Sequence, residues 1–193
     1  MKRVGITGGM GCGKSTVMAE FKRLGVPCFV SDIVASGYYY DIDFLDTLRQ
    51  LLGDEVFLDD GTVDKKAVAA KVFADKALLQ GLNALVHPRV IEDFDHFCHM
   101  HAGAPYVLFE SAILYDYGFD RMMDKVICVY LDLEERLRRL MQRDGVGEEA
   151  LRARIVNQLP AEEMMSRADY VILNYEGNPR RRQVEYIDKL LRQ

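Results

Sequence analysis

The chain has no disulfide framework and no C-x-x-C pair: its four cysteines are the scattered Cys12, Cys28, Cys98 and Cys128. A reducing cytoplasm is therefore the expected setting. No apolar stretch approaches the roughly 20 residues that cross a bilayer, so no membrane partner is expected. Met1-Lys2-Arg3 runs straight into an apolar segment, and a signal peptide is not expected. Positive charge is in deficit, with a formal net charge of −5. That excludes general affinity for nucleic acid and requires a local basic site for any polyanionic substrate. The last third holds nothing like N-K-x-D, which removes the guanine-specific switch proteins. Repeats, low-complexity tracts and Pro/Gly/Ser-rich linkers are also lacking, so the 193 residues read as one globular unit or a core with insertions.

What is present is most informative near the N-terminus. Gly8-Gly9-Met10-Gly11-Cys12-Gly13-Lys14-Ser15-Thr16 reads G-x-x-x-x-G-K-S and directly follows Val4-Gly5-Ile6. Strand, glycine loop, helix is the context in which this pattern binds phosphate. The glycines let successive N–H groups point into one concavity. The helix that starts there adds its positive dipole end. Lys14 reaches the β- and γ-phosphates, and the Ser15 hydroxyl holds Mg²⁺. A nucleoside triphosphate is the expected ligand. Cys12 lies inside the loop, where Lys14 and the backbone donors are expected to lower its thiol pKa. Bound ATP is then expected to shield it from alkylation.

Apolar patterning predicts strands over residues 4–7, 26–30, 106–110, 125–131 and 170–173, and helices over 14–24, 133–144 and 179–191. A second helix after Gly145-Val146-Gly147 is expected to reach about Leu159. Residues 33–101 read as mostly helix, with stripes over 44–52, 63–73 and 77–100, the last bent at Pro88, and one loop at Asp59-Asp60-Gly61. Strands alternating with helices predict an α/β fold: a parallel sheet of about five strands flanked by helices. The block between the second and third strands is too long for a crossover and reads as an inserted acceptor-binding region.

Three features favour a small-molecule kinase. Asp32 stands at the carboxyl end of the second strand, where ligands of open parallel sheets bind. It can accept the proton of an attacking hydroxyl or hold a Mg²⁺ water, or it can cap the helix expected at Ile33. Arg136, Arg139 and Arg143 share one helical face with few acidic partners in the run. They read as a lid over transferring phosphate, or as a solvated face. Glu110, followed by Ser111, ends the third strand and either orients Mg²⁺ or binds acceptor, or caps another helix.

With these residues assembled, the chain resembles the dephospho-coenzyme A kinase family along nearly its whole length. Val4-Gly5-Ile6-Thr7-Gly8-Gly9-Met10-Gly11-Cys12-Gly13-Lys14-Ser15-Thr16-Val17 is similar to that family's G-L-T-G-G-I-G-S-G-K-S-T-V. Ser31-Asp32 resembles the end of its D-A-D, 60–65 its D-G-x-L-D-R, and 85–89 its H-P motif. Gln158 and 168–174 resemble its closing Q and A-D-x-V-I-x-N. The resemblance implies a P-loop NTPase-type domain with core 1–33, 104–135 and 166–193, an acceptor-binding insertion over 34–103 and a lid over 136–165. It implies transfer of the ATP γ-phosphoryl to the ribose 3′-hydroxyl of dephospho-CoA, the last step of CoA synthesis. Lys14 and residues 8–16 (Gly8, Gly9, Met10, Gly11, Cys12, Gly13, Ser15, Thr16) would hold ATP, with Ser15 on Mg²⁺ and Asp32 joining it through water. Asp32 would activate the hydroxyl, Arg139 and Arg143 would close over the phosphates, and Asn174 would stand by adenine. Lys65, His87 and Glu110 would serve the acceptor. A monomer or weak homo-oligomer is expected.

The chain also departs from the family. Val30 replaces the first Asp of D-A-D, and Lys65 replaces an arginine, keeping charge but losing the planar fork. Either Glu110 or Asp116 can take the family's acidic position. Tyr38-Tyr39-Tyr40 reads as packing under the inserted helices or as stacking on the acceptor's adenine. His96, Cys98 and His99 fit no zinc pattern and read as a solvated helix end. A shikimate- or nucleoside-type kinase, and a regulatory ATP-binding switch, remain as competing readings.

Overall fold

The computed structural model describes residues 1–156 and 158–193. The chain divides into two compact units, one of Met1–Val30 with Met100–Gln193, the other of Ser31–His99.

In the first unit, β1 (Lys2–Thr7), β2 (Cys28–Val30), β3 (Tyr106–Glu110), β4 (Lys125–Tyr130) and β5 (Tyr170–Leu173) form one sheet, ordered β2-β3-β1-β4-β5. Every neighbouring pair is parallel. All of β3 and the last four residues of β1 are buried. Strands covered on both faces read as continuous apolar runs, which is why these two were legible. Helices α1 (Lys14–Arg23) and α9 (Arg180–Leu191) pack on each other. Phe21 of α1 and Val184 of α9 join Ile6, Leu108 and Ile127 in one core. The register that pairs Ile6 with Glu110 brings the carboxyl ends of β1 and β3 level. The loop leaving β1 and the side chain ending β3 therefore meet at one edge.

Beyond β4, Asp132 caps α6 (Leu133–Asp144) by accepting from the Glu135 N–H at 2.9 Å. Left-handed Gly145, at φ 65°, ends it. Leu137 and Leu140 of α6 pack with Leu151 of α7 (Glu148–Ile155). The helix expected to reach Leu159 stops at Ile155, and α8 (Ala161–Arg167), not foreseen, follows Pro160. Pro160 disfavours helix in the residue before it and suits a fresh start after it. Asn157, within that expectation, lies outside the described residues.

The second unit is helical: α2 (Ser31–Gly37), α3 (Ile42–Leu52), α4 (Lys65–Ala74) and α5 (Lys76–Met100), whose last residue belongs to the first unit. Asp41 caps α3 and Asp64 caps α4 through their side chains. Phe44, Leu48 and Leu52, at the predicted helical spacing, are buried. Helix α5 continues through Pro88. Helix α2 begins at Ser31, two residues earlier than expected, so Asp32 lies in its first turn and is not its cap.

Candidate active site

The loop between β1 and α1 is built by glycines that no other residue replaces. Gly11 and Gly13 have φ of 83° and 86°, in the left-handed region. Gly13 is the N-cap of α1 and provides no side-chain cap, so the first N–H groups of the helix are left for an anion. Neighbouring side chains hold the loop in this shape. Asn174, only 2% exposed after β5, donates Nδ2 to the Cys12 carbonyl at 2.8 Å. Its Oδ1 accepts from Arg180 Nη1 at 3.1 Å, and its carbonyl accepts from Arg139 Nη2 at 3.0 Å. Gln158 Oε1 accepts from the Met10 N–H at 2.9 Å.

Lys14 Nζ donates to the Gly8 carbonyl at 2.9 Å and lies 3.8 Å from Glu110 Oε1. Glu110 is buried, and Ser111 after it enters a turn, not a helix, so the capping alternative falls. Asp116 is exposed, and Glu110 is the acid beside the phosphate-binding lysine. The oxygen donors at this edge, the exposed Ser15 hydroxyl and the Glu110 carboxylate, are hard ligands that suit Mg²⁺ carried in with phosphates.

The arginines of α6 do not form the unpaired face that their spacing suggested. Arg139 Nε donates to Glu135 at 2.9 Å, and Arg138 pairs with the same carboxylate. Arg143 is held by Asp144 at 2.6 Å, with its side chain 68% exposed. Glu135 sits in the first turn, where its charge complements the helix dipole, and Asp144 directly follows Arg143 at the other end. Arg136, grouped by spacing with the lid arginines but given no role by the family resemblance, is 4% exposed and donates Nε to the Met10 carbonyl at 2.8 Å. Its burial pulls the guanidinium pKa down. Arg138, Arg139, Tyr175, Asn178 and Arg180 line a cleft of about 510 Å³ in the same unit.

Cys12 also departs from expectation. The residue is 1% exposed, and burial pushes its thiol up despite the nearby Lys14. It is a core residue and not an activated nucleophile.

Asp32, Lys65 and His87 lie in the second unit. Asp32 is exposed, two residues past the end of β2. Exposed Lys65, at the start of α4, holds Nζ 5.1 Å from the Tyr39 ring centre and 5.9 Å from that of Tyr40. His87 is half-buried on α5, and burial lowers its pKa. The three tyrosines divide: Tyr38 is buried and donates to Asp93 at 2.5 Å, Tyr39 packs edge-on to Phe44, and Tyr40 is 80% exposed. His96 and His99 are exposed while Cys98 is buried, and among the described residues no three or more His, Cys, Asp and Glu side chains cluster so as to hold a metal.

The site reads as a phosphate loop with its lysine, a buried acid and a helix-borne arginine cluster, and the chain as a whole is similar to known proteins. The family model described as dephospho-CoA kinase matches residues 2–179. A dephospho-CoA kinase of Corynebacterium glutamicum is 36% identical over 177 residues, covering 90% of this chain and 91% of that one. Another, of Geobacillus kaustophilus, is 36% identical over 176 residues, 89% of this chain and 87% of that one. A crystallised Thermus thermophilus protein superimposes with a TM-score of 0.89 at 31% identity, over 98% of this chain and 96% of that one. A shikimate kinase of Bacteroides thetaiotaomicron, at 17% identity and a TM-score of 0.53, shares the fold over 100% of this chain and 99% of its own. The chain belongs to the dephospho-CoA kinase family.

Proposed function

We propose that this chain transfers the γ-phosphoryl group of ATP to the ribose 3′-hydroxyl of dephospho-CoA, giving CoA and ADP, with Asp32 taking the hydroxyl proton. Family membership makes it a kinase of CoA biosynthesis that uses ATP and dephospho-CoA. The observation that supports the rest of the reading is the pairing of Lys14 with Glu110 at the edge where the glycine loop leaves β1. Loop N–H groups and Lys14 hold the β- and γ-phosphates. Ser15 would hold Mg²⁺ with Glu110 near and Asp32 joining through water, and the ion would supply charge neutralisation at the phosphate oxygens. The cleft beside Arg139 and Tyr175 takes the adenine. Arg139 closes over the phosphates, and Arg143 joins it only by leaving Asp144. Lys65 and His87, within the region 34–103, bind the acceptor, and 136–165 acts as the lid. The enzyme works as a monomer or weak homo-oligomer in the cytoplasm and binds neither nucleic acid nor membrane; among the described residues no helix is long and apolar enough to cross one.

An ADP-release assay across dephospho-CoA, shikimate, nucleosides and nucleoside monophosphates tests the reading. Turnover is expected with dephospho-CoA, and a preference for any other acceptor overturns it. Asp32→Asn is expected to cut kcat on the order of 10²–10⁴-fold, as for a lost general base, with nucleotide affinity kept. A regulatory ATP-binding protein would be indifferent to that change.

A further inference from the structure

Both main-chain polar groups of one phosphate-loop residue, Met10, are claimed from outside the loop. The Met10 N–H donates to Gln158 Oε1 at 2.9 Å, and the Met10 carbonyl accepts from Arg136 Nε at 2.8 Å. Gln158 follows α7 and Arg136 lies on α6, so two separate stretches of the 136–165 region grip the same residue. The loop is shaped to receive this grip. A Cβ added to Gly9 would lie 2.5 Å from the Arg136 guanidinium carbon, and one added to Gly11 would lie 2.8 Å from Leu140, one helical turn on. Among the described residues, no carboxylate forms an ion pair with Arg136, although it is 4% exposed. A buried guanidinium on which the Glu162 carboxylate acts only from beyond ion-pair distance is costly unless an anion completes it, and it stands against the loop that receives polyphosphate.

We infer that Arg136, with Gln158, is the positioning residue that ties the 136–165 region to the phosphate loop and supplies a counter-charge for the nucleotide's polyphosphate. The inference deepens the kinase reading and rests on it for what fills the loop. Nε fixes the Met10 carbonyl, and the delocalised charge raises the positive potential of the cradle beside it. Nucleotide binding and the seating of α6 on the loop are then linked, because the anion relieves the buried charge that the contact creates.

Three variants test this against wild type: Arg136→Met, Arg136→Gln and Gln158→Leu. Isothermal titration measures Kd for ATP and for adenosine, and hydrogen exchange follows the peptide carrying Met10. Arg136→Met is expected to weaken ATP at least tenfold and adenosine less than twofold, and to speed exchange at Met10. Arg136→Gln, which keeps an N–H donor but no charge, is expected to restore slow exchange and leave ATP weak. Gln158→Leu is expected to speed exchange with a smaller loss of ATP. Equal losses for ATP and adenosine, or an ATP Kd within twofold of wild type in Arg136→Met, overturn the inference. A variant that melts with the wild type but loses ATP keeps it. Wild-type turnover of dephospho-CoA is the control: its absence sinks the kinase reading, whereas normal turnover with a silent Arg136→Met sinks only the inference.

Discussion

Lys14 Nζ lies 3.8 Å from Glu110 Oε1 while donating to the Gly8 carbonyl at 2.9 Å, so the phosphate-binding lysine is held at the mouth of its loop by a buried carboxylate. A carboxylate in that position repels a bare triphosphate and welcomes one that carries a cation. Glu110→Gln should therefore shrink the advantage of Mg²⁺ in binding. Measured as the ratio of ATP Kd without and with Mg²⁺, the loss is expected to be about tenfold, the order of one charge-assisted contact. An unchanged ratio would remove Glu110 from the metal side of the site.

Asn174 supports the same loop from beneath. It donates to the Cys12 carbonyl at 2.8 Å and accepts from Arg180 at 3.1 Å, with 2% of its surface exposed. Asn174→Ala leaves a buried carbonyl and a guanidinium donor without their partner, a loss of about 1–3 kcal/mol. For a chain of this length each kcal/mol lowers Tm by roughly 2–4 °C. Calorimetry should show a fall of roughly 2–12 °C together with weaker ATP binding. A drop in ATP affinity at unchanged Tm would mean that the residue touches the nucleotide and does not support the loop.

The strands β3 and β5 and the helix α6 were legible to the residue, because each is a compact apolar or amphipathic run between strong stops. Gly103-Ala104-Pro105 introduces β3, and Asp132 and Gly145 bracket α6. The phosphate loop was legible for a different reason: its chemistry is local, carried by consecutive residues. What sequence could not give was the phase of α6 against the sheet. Arg136, Arg139 and Arg143 are equivalent by spacing, and only tertiary packing turns Arg136 inward to Met10 and Arg143 outward to Asp144. The same limit applies to Cys12, whose neighbours in sequence suggest an activated thiol while the packing around it desolvates it. Helix α8 was missed because its seven residues, six of them polar, acidic or methionine, carry too short a pattern to register.

Glu135 anchors two arginines, and its carboxyl is held down to about 2, first by hydrogen bonding from Arg138 and then by Arg139. A carboxylate whose folded pKa is depressed stabilises the fold above its ordinary value near 4.5 and loses that contribution as pH falls toward 2. Carboxyl NMR should therefore place its midpoint near 2 in the wild type, and Arg138→Ala should raise it toward the ordinary value. Below that midpoint Arg139 loses its carboxylate partner and keeps the Asn174 carbonyl, so the arginine cluster should loosen in acid before the sheet does. A midpoint near 4.5 in the wild type would show that these surface pairs do not persist in solution.

Buried thiols react slowly. Burial raises Cys12, and raises half-buried Cys28 to about 11 and Cys128 to about 12. Since the thiolate is the nucleophile, iodoacetamide at neutral pH should label Cys12 at least tenfold more slowly than the same residue in urea. ATP should change the rate little, because the thiol is covered before the nucleotide arrives. Fast labelling that ATP blocks would restore the activated-thiol expectation and contradict the packing of the loop.

Gly9 and Arg136 should behave as one unit. Gly9 is absent from the glycines with positive φ, so a Cβ there meets no backbone penalty of its own, and its obstacle is the guanidinium at 2.5 Å. Gly9→Ala in the wild type should displace Arg136 and weaken ATP binding about as much as Arg136→Ala does. On an Arg136→Ala background the obstacle has gone, and Gly9→Ala should cost little more. The double-mutant cycle for ATP binding is thus expected to show a coupling of about 0.5–3 kcal/mol, the range for groups in direct contact. Additive effects would mean that Gly9 is needed for the close approach of phosphate and not for the arginine, and the grip on Met10 would then have to be explained without it.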